Sequence, residues 1–143
     1  MDWFEQLKEA NAMHALFDEQ RDWSYATFGP PSFKGPLGPL DHLAKEVKEA
    51  AAAAALLRSR IANATGTATD RVNIARAELD LHEELADCLI LMFDAAHRAG
   101  LTFADLADAA AHKLATNKAR TWPAWQGTDP DKAIEHLRAG DEQ

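Results

Sequence analysis

The stretch AELDLHEELADCLILMFDAAH, residues 77–97, decides the fold. Its apolar positions Leu81, Leu85, Cys88, Met92 and Ala95 recur three and four residues apart, the period of one face of an α-helix rather than the alternation of a strand. Extended backwards through Ile74 to Arg71 and forwards to Ala99, it reads as one long helix, and Gly100 stands where a helix of this kind closes. The same stretch holds six carboxylates (Glu78, Asp80, Glu83, Glu84, Asp87, Asp94) and no Lys or Arg. Any account of the protein has to say what balances them.

The flanking sequence reads in the same way. A first helical segment runs from about Trp3 to Phe28, with Leu7, Ala10, Met13 or His14, and Phe17 on one face, and stops at Gly29. Residues 29–39, GPPSFKGPLGP, carry four of the six prolines and three of the seven glycines, and read as an ordered loop or lid rather than helix. A second helix is expected from about Leu40 to Ala64, with an apolar stripe Leu43, Val47, Ala50, Ala54, Leu57 and Ile61. Its alanine run, residues 50–55, favours helix and lets a neighbour approach closely. After ATGTATD comes the long acidic helix. Thr102 then caps a fourth, with Asp105 three residues on, running to about Arg120 before Pro123, and a short tail helix is expected near 130–138. With no strand pattern anywhere, the expected fold is all-α, a four-helix bundle-like domain with a Gly/Pro-rich loop and a short C-terminal helix, one domain over residues 1–143.

Composition narrows the function classes. The formal net charge is −8, divided as −2 over residues 1–71 and −6 over 72–143, which argues against DNA, RNA or anionic lipid as partners. No apolar run approaches a membrane span, and acids at Asp2, Glu5, Glu9, Asp18 and Glu19 do not suit a secretory signal, so a cytoplasmic protein is expected. Cys88 is the lone cysteine and excludes an internal disulfide or a cysteine-type zinc site.

Chemistry concentrates in two carboxylate pairs. Glu46 and Glu49 stand three apart on the second helix, and Glu84 and Asp87 three apart on the third, each pair beside its apolar stripe. Packed as antiparallel neighbours, the helices would bring the pairs together. Two carboxylates about 5 Å apart repel by roughly 3 kcal/mol at an effective dielectric near 20, so a counter-ion is required. The third helix offers no Lys or Arg near these positions; a hard divalent cation fits, Mg²⁺ being the usual choice beside phosphates, with Mn²⁺ an acceptable substitute. Histidine spacing supports neither a di-iron nor a zinc site, and no Gly-rich phosphate loop is present. On the fourth helix Lys113, Asn117 and Arg120 form one polar row that could grip phosphates. Trp23, Ser24 and Phe28 before the Gly/Pro loop, and Trp122 after the polar row, are candidate contacts for a nucleotide base.

The residues resemble the MazG-like all-α nucleoside triphosphate pyrophosphohydrolases, whose signature pairs an EExxE element with ExxD on the next helix. Here these read Lys45-Glu46-Val47-Lys48-Glu49 and Glu84-Leu85-Ala86-Asp87. The series Gln20-Arg21-Asp22-Trp23-Ser24, Thr27-Phe28-Gly29-Pro30, Asp41-His42, Arg98-Ala99-Gly100, and Lys113, Asn117 with Ala119-Arg120-Thr121-Trp122-Pro123 resembles the dATP/dGTP diphosphohydrolase subgroup of phages and bacteria. The resemblance implies Mg²⁺ held by Glu46, Glu49, Glu84 and Asp87; a carboxylate not fully engaged by the metal, Glu46 or Glu49, would take the proton of the attacking water. It implies water attack on the α-phosphate to give monophosphate and pyrophosphate, and phosphate contacts from Lys113, Asn117 and Arg120; the expected substrates are purine nucleoside triphosphates, dGTP first and dATP second, with GTP also accepted. A role in supplying dGMP for phage 2-aminoadenine synthesis fits the family, as does house-cleaning of other nucleotides such as dUTP. Two departures stand out: Lys45 replaces the first Glu of EExxE, and 34 residues separate Glu49 from Glu84, more than the family's usual spacing. A homo-oligomer, dimer or tetramer, is expected from the short, alanine-rich chain. The reading from another class is a non-catalytic helical interaction protein with an acidic face.

Overall fold

The structure, a computed structural model, describes residues 3–138 and 140. Four α-helices follow one another, α1 (Trp3–Phe28), α2 (Leu37–Ala62), α3 (Ala68–Arg98) and α4 (Phe103–Lys118), with a 3-10 turn at Trp125–Gly127 and no strand among the described residues. The expected all-α class and its four helices are what the chain forms. Two compact units divide it, Met1–Phe103 and Ala104–Gln143.

Within the first unit, α2 and α3 form the main packed pair, joined by the connector 63–67. Their junction is fixed chemically. The Thr67 side chain accepts from the Asp70 backbone N–H at 3.1 Å while the Asp70 carboxylate accepts from the Thr67 and Thr65 backbone N–H groups, a reciprocal cap that starts α3. These bonds hold the Asp70 carboxyl down at about 2. At the far end, Gly100 (φ +81°) bonds back to the His97 carbonyl and Leu101 to that of Ala96, the paired closure that needs a residue in the left-handed region.

Three sequence expectations change here. First, α2 begins at Leu37, so Gly38 and Pro39 lie inside it rather than in the loop. The first four N–H groups of a helix have no acceptor within it, and proline therefore loses nothing in its first turn. Second, the face that α2 turns inward is Pro39, Leu43, Glu46, Ala50, Ala53 and Leu57. Val47 and Ile61 of the expected stripe are more than half exposed, as are Leu85 on α3 and, at 47%, nearly so Met92. Glu46 thus lies in the seam and not beside it. Third, residues 130–138 form no helix. A helix that short is marginal alone; instead Leu137 donates its backbone N–H to the Thr121 carbonyl and His136 packs edge-on against Trp122.

α1 packs against the end of α3. Phe17, 1% exposed, meets Phe93 edge-on at 5.0 Å and lies 3.7 Å from the His97 ring. His97 Nε2 lies 2.7 Å from the Phe17 carbonyl, to which it donates, and the Tyr25 hydroxyl donates to the His97 carbonyl at 3.1 Å. Burial lowers the His97 pKa, consistent with a neutral ring. The Leu7 and Ala10 side chains of the expected α1 stripe lie outside the described residues.

Candidate active site

Equal helix arms position the carboxylates. Glu46 stands sixteen residues before Ala62, the end of α2, and Glu84 sixteen residues after Ala68, the start of α3. At 1.5 Å per residue, both lie about 24 Å from the connector and therefore face each other. One oxygen each of Glu46, Glu84 and Asp87 lies within 4.8 Å of the others. The 34 residues between Glu49 and Glu84 thus run out and back along two arms of equal length, which keeps the carboxylates in register.

The electrostatics of this cluster are uneven. Burial, with Glu49, Glu46 and Asp87 around it, holds the Glu84 carboxyl above its ordinary range. Its Oε2 is buried and has no hydrogen-bond partner. A buried carboxylate oxygen left bare amid other acids needs a proton or a cation, and three oxygen ligands from carboxylates suit a hard divalent ion. The residues present fit such an ion.

Counter-charge comes from α2 itself. Lys45 Nζ lies 3.2 Å from Glu46 and 3.1 Å from Glu49, and His42 Nε2 lies 2.7 Å from Glu46 Oε1. Lys45 holds the Glu46 carboxyl below its ordinary value, and its own pKa is raised by Glu49 and Glu46. The departure from EExxE therefore puts a cation where the family carries an acid. Glu49 is outside the three-residue cluster, exposed and tied to Lys45. Cys88 lies near the acids, and burial, then Glu46, raises its pKa, so the thiol stays protonated.

The base candidates divide. Trp23 and Phe28 are exposed and meet edge-on at 5.4 Å. Ser24 is 0% exposed, and its hydroxyl donates to Asp94 Oδ1 at 2.6 Å and accepts from Arg98 Nη2 at 2.8 Å. Arg98 also donates through Nε to Asp94 Oδ1 at 3.0 Å, and through Nη1 to the carbonyls of Gly29 and Lys34. It fastens α1, the Gly/Pro segment and α3 together. Asp94 and Arg98 were not singled out from the sequence as site residues; the signal was there in the spacing 84, 87, 91, 94, 98, which places them on the stripe of α3 that carries the metal-type carboxylates.

In the second unit, Arg120 Nη1 donates to Asn117 Oδ1 at 3.1 Å and Trp122 Nε1 to the Asn117 carbonyl at 2.8 Å. Asn117, Arg120 and Trp122 are thus one connected group, with Lys113 one turn earlier on α4.

The described residues are all-helical, and the seam between α2 and α3 holds three carboxylates that could take a cation. Residues 61–141 match the dATP/dGTP pyrophosphohydrolase family, and the chain belongs to it. It is a nucleoside triphosphate pyrophosphohydrolase of the MazG-like kind. No curated protein and no solved structure matches the chain. The match takes in Glu84 and Asp87, whereas Glu46 and Glu49 precede it. No helix among the described residues is long and apolar enough to cross a membrane.

Proposed function

We propose that the chain hydrolyses purine deoxynucleoside triphosphates, dGTP first and dATP second, to the monophosphate and pyrophosphate, with Mg²⁺ or Mn²⁺ held by Glu46, Glu84 and Asp87. The bare, buried Glu84 Oε2 within the acid cluster is the observation that carries this reading. A divalent cation at that place would neutralise phosphate charge and acidify a water molecule. Glu49, outside the cluster and solvent-facing, takes the proton of the attacking water once Lys45 shifts toward substrate or Glu46. Lys113 and Arg120 bind phosphate oxygens, Arg120 being oriented by Asn117. One domain over residues 1–143 is the reading favoured by a family match, residues 61–141, that includes parts of both units. The chain works as a homo-oligomer, whose interface would cover the exposed Val47, Leu79 and Leu85.

Incubation of purified protein with each common nucleotide, with and without Mg²⁺, tests the proposal. Purine deoxynucleotides give monophosphate and pyrophosphate only when the cation is present. Turnover of dUTP alone would move the substrate to house-cleaning, and turnover of none would leave an acidic interaction protein. Supply of dGMP for modified DNA in a phage is the pathway that the dGTP preference would serve.

A further inference from the structure

A cavity of about 540 Å³ lies next to the acid cluster, between the Gly/Pro segment, the start of α2 and the end of α3. Its size is that of a small-molecule pocket. Phe28, Pro36, Pro39 and Leu91 give it apolar walls, and Asp94 and Arg98 also line it. His42 lines this cavity and also bonds to Glu46, so one side chain borders both the cavity and the cluster. Along α3 the distance from Asp87 to Asp94 is about 10.5 Å, seven residues at 1.5 Å each. That is about the reach from the α-phosphate of a nucleotide to the far edge of its purine.

The polar groups at that end are arranged asymmetrically. Asp94 is 7% exposed, and its Oδ1 already accepts from Ser24 and Arg98. None of the hydrogen bonds found among the described residues goes to Oδ2. Arg98 spends four N–H groups on Asp94, Ser24 and two backbone carbonyls, so its role is to hold Asp94 still. What remains for a ligand is one fixed acceptor oxygen, Oδ2, beside apolar walls, within reach of two neighbouring N–H donors at once.

We propose that Asp94 is a specificity-determining residue which accepts the N1–H and 2-amino donors of a guanine seated in this cavity, with Phe28 against the ring. Adenine presents an acceptor at N1 and no 2-amino group, so against a fixed carboxylate it meets repulsion where guanine makes two bonds. A site built to bond a donor rejects the analogue that lacks it far more strongly than an apolar pocket discriminates by size. This assignment rests on the proposed hydrolysis and supplies the guanine preference with a residue.

The test begins with the unaltered protein and the series dGTP, dITP and dATP. Hypoxanthine keeps N1–H but lacks the 2-amino group, so kcat/KM should fall in that order, with dATP at least about 100-fold below dGTP. Asp94→Asn retains an oxygen for Ser24 and Arg98 and converts the other acceptor into a donor; it should narrow or reverse the dGTP to dATP ratio. Equal loss on both substrates in Asp94→Asn of unchanged helicity, or a wild-type preference for dATP, would overturn the assignment and leave the hydrolytic reading standing. Calorimetric binding of dGMP and dAMP separates the two ideas in the other direction. Tighter dGMP binding without turnover of any triphosphate would support the base site and defeat the proposed reaction, while equal binding of both would count against the base site.

Discussion

Glu84 carries the chemistry of the cluster because it is the one acid there with a buried, unpartnered oxygen. Glu84→Gln keeps the shape and removes the charge, so it should lower kcat/KM by more than about 100-fold, beyond the 10–100-fold typical when only a ligand's supporting partner is lost. Steady-state kinetics at saturating Mg²⁺ check this, and a loss under tenfold would remove Glu84 from the cation site. The acid pairs were legible in the sequence because residues three apart must share a helix face, and three of the four carboxylates do converge. Their counter-charge was less legible, because it stands not on the neighbouring helix but on α2 itself, where Lys45 lies beside Glu46. Nor could Ser24 be read correctly in detail. Its hydroxyl bonds to Asp94, seventy residues away, and spacing in the sequence carries no sign of such a pairing.

At the scale of elements, α2 and α3 work as two arms of equal length, and the cap at their junction sets the register. Thr67→Ala should cost about 1 kcal/mol, a few degrees in Tm for a domain of this size. Asp70 gives that cap a pH dependence. Its carboxyl is held down at about 2 in the folded chain, against about 3.9 in an unfolded one, so its contribution is complete above pH ~4 and is lost as pH falls through about 2. The Tm gap between wild type and Asp70→Asn should therefore be widest near neutral pH and close between pH 4 and pH 2; a gap constant across that range would deny the carboxylate its capping role. Helix stops were the legible part of these elements, Gly100 above all, because a left-handed residue has a strong compositional signature. The start of α2 was hidden by Gly38 and Pro39, which break a helix interior but not a first turn. The inward face of α2 was hidden as well: hydrophobic patterning cannot nominate a glutamate as a seam residue, yet Glu46 is 6% exposed.

For the whole molecule, the charge of −8 has a local cause in the acids of α3, two of which join Glu46 in a group that could hold a cation. Binding to the folded chain alone must raise its stability. At a cation concentration a hundredfold above Kd the gain is about 2.7 kcal/mol, so Mg²⁺ should raise Tm by several degrees over an EDTA-treated sample, and Glu84→Gln should abolish the difference. An unchanged wild-type Tm at millimolar Mg²⁺ would speak against a site of useful affinity. The family match over residues 61–141 takes in Glu84 and Asp87, and the contact between α2 and α3 adds Glu46 to them. The central claim is that water attacks the α-phosphate of a purine deoxynucleoside triphosphate. Hydrolysis of dGTP in ¹⁸O-labelled water, followed by mass spectrometry of both products, tests it most directly. Attack at the α-phosphorus puts one labelled oxygen in dGMP and leaves pyrophosphate unlabelled; label in pyrophosphate, or release of orthophosphate, would contradict it.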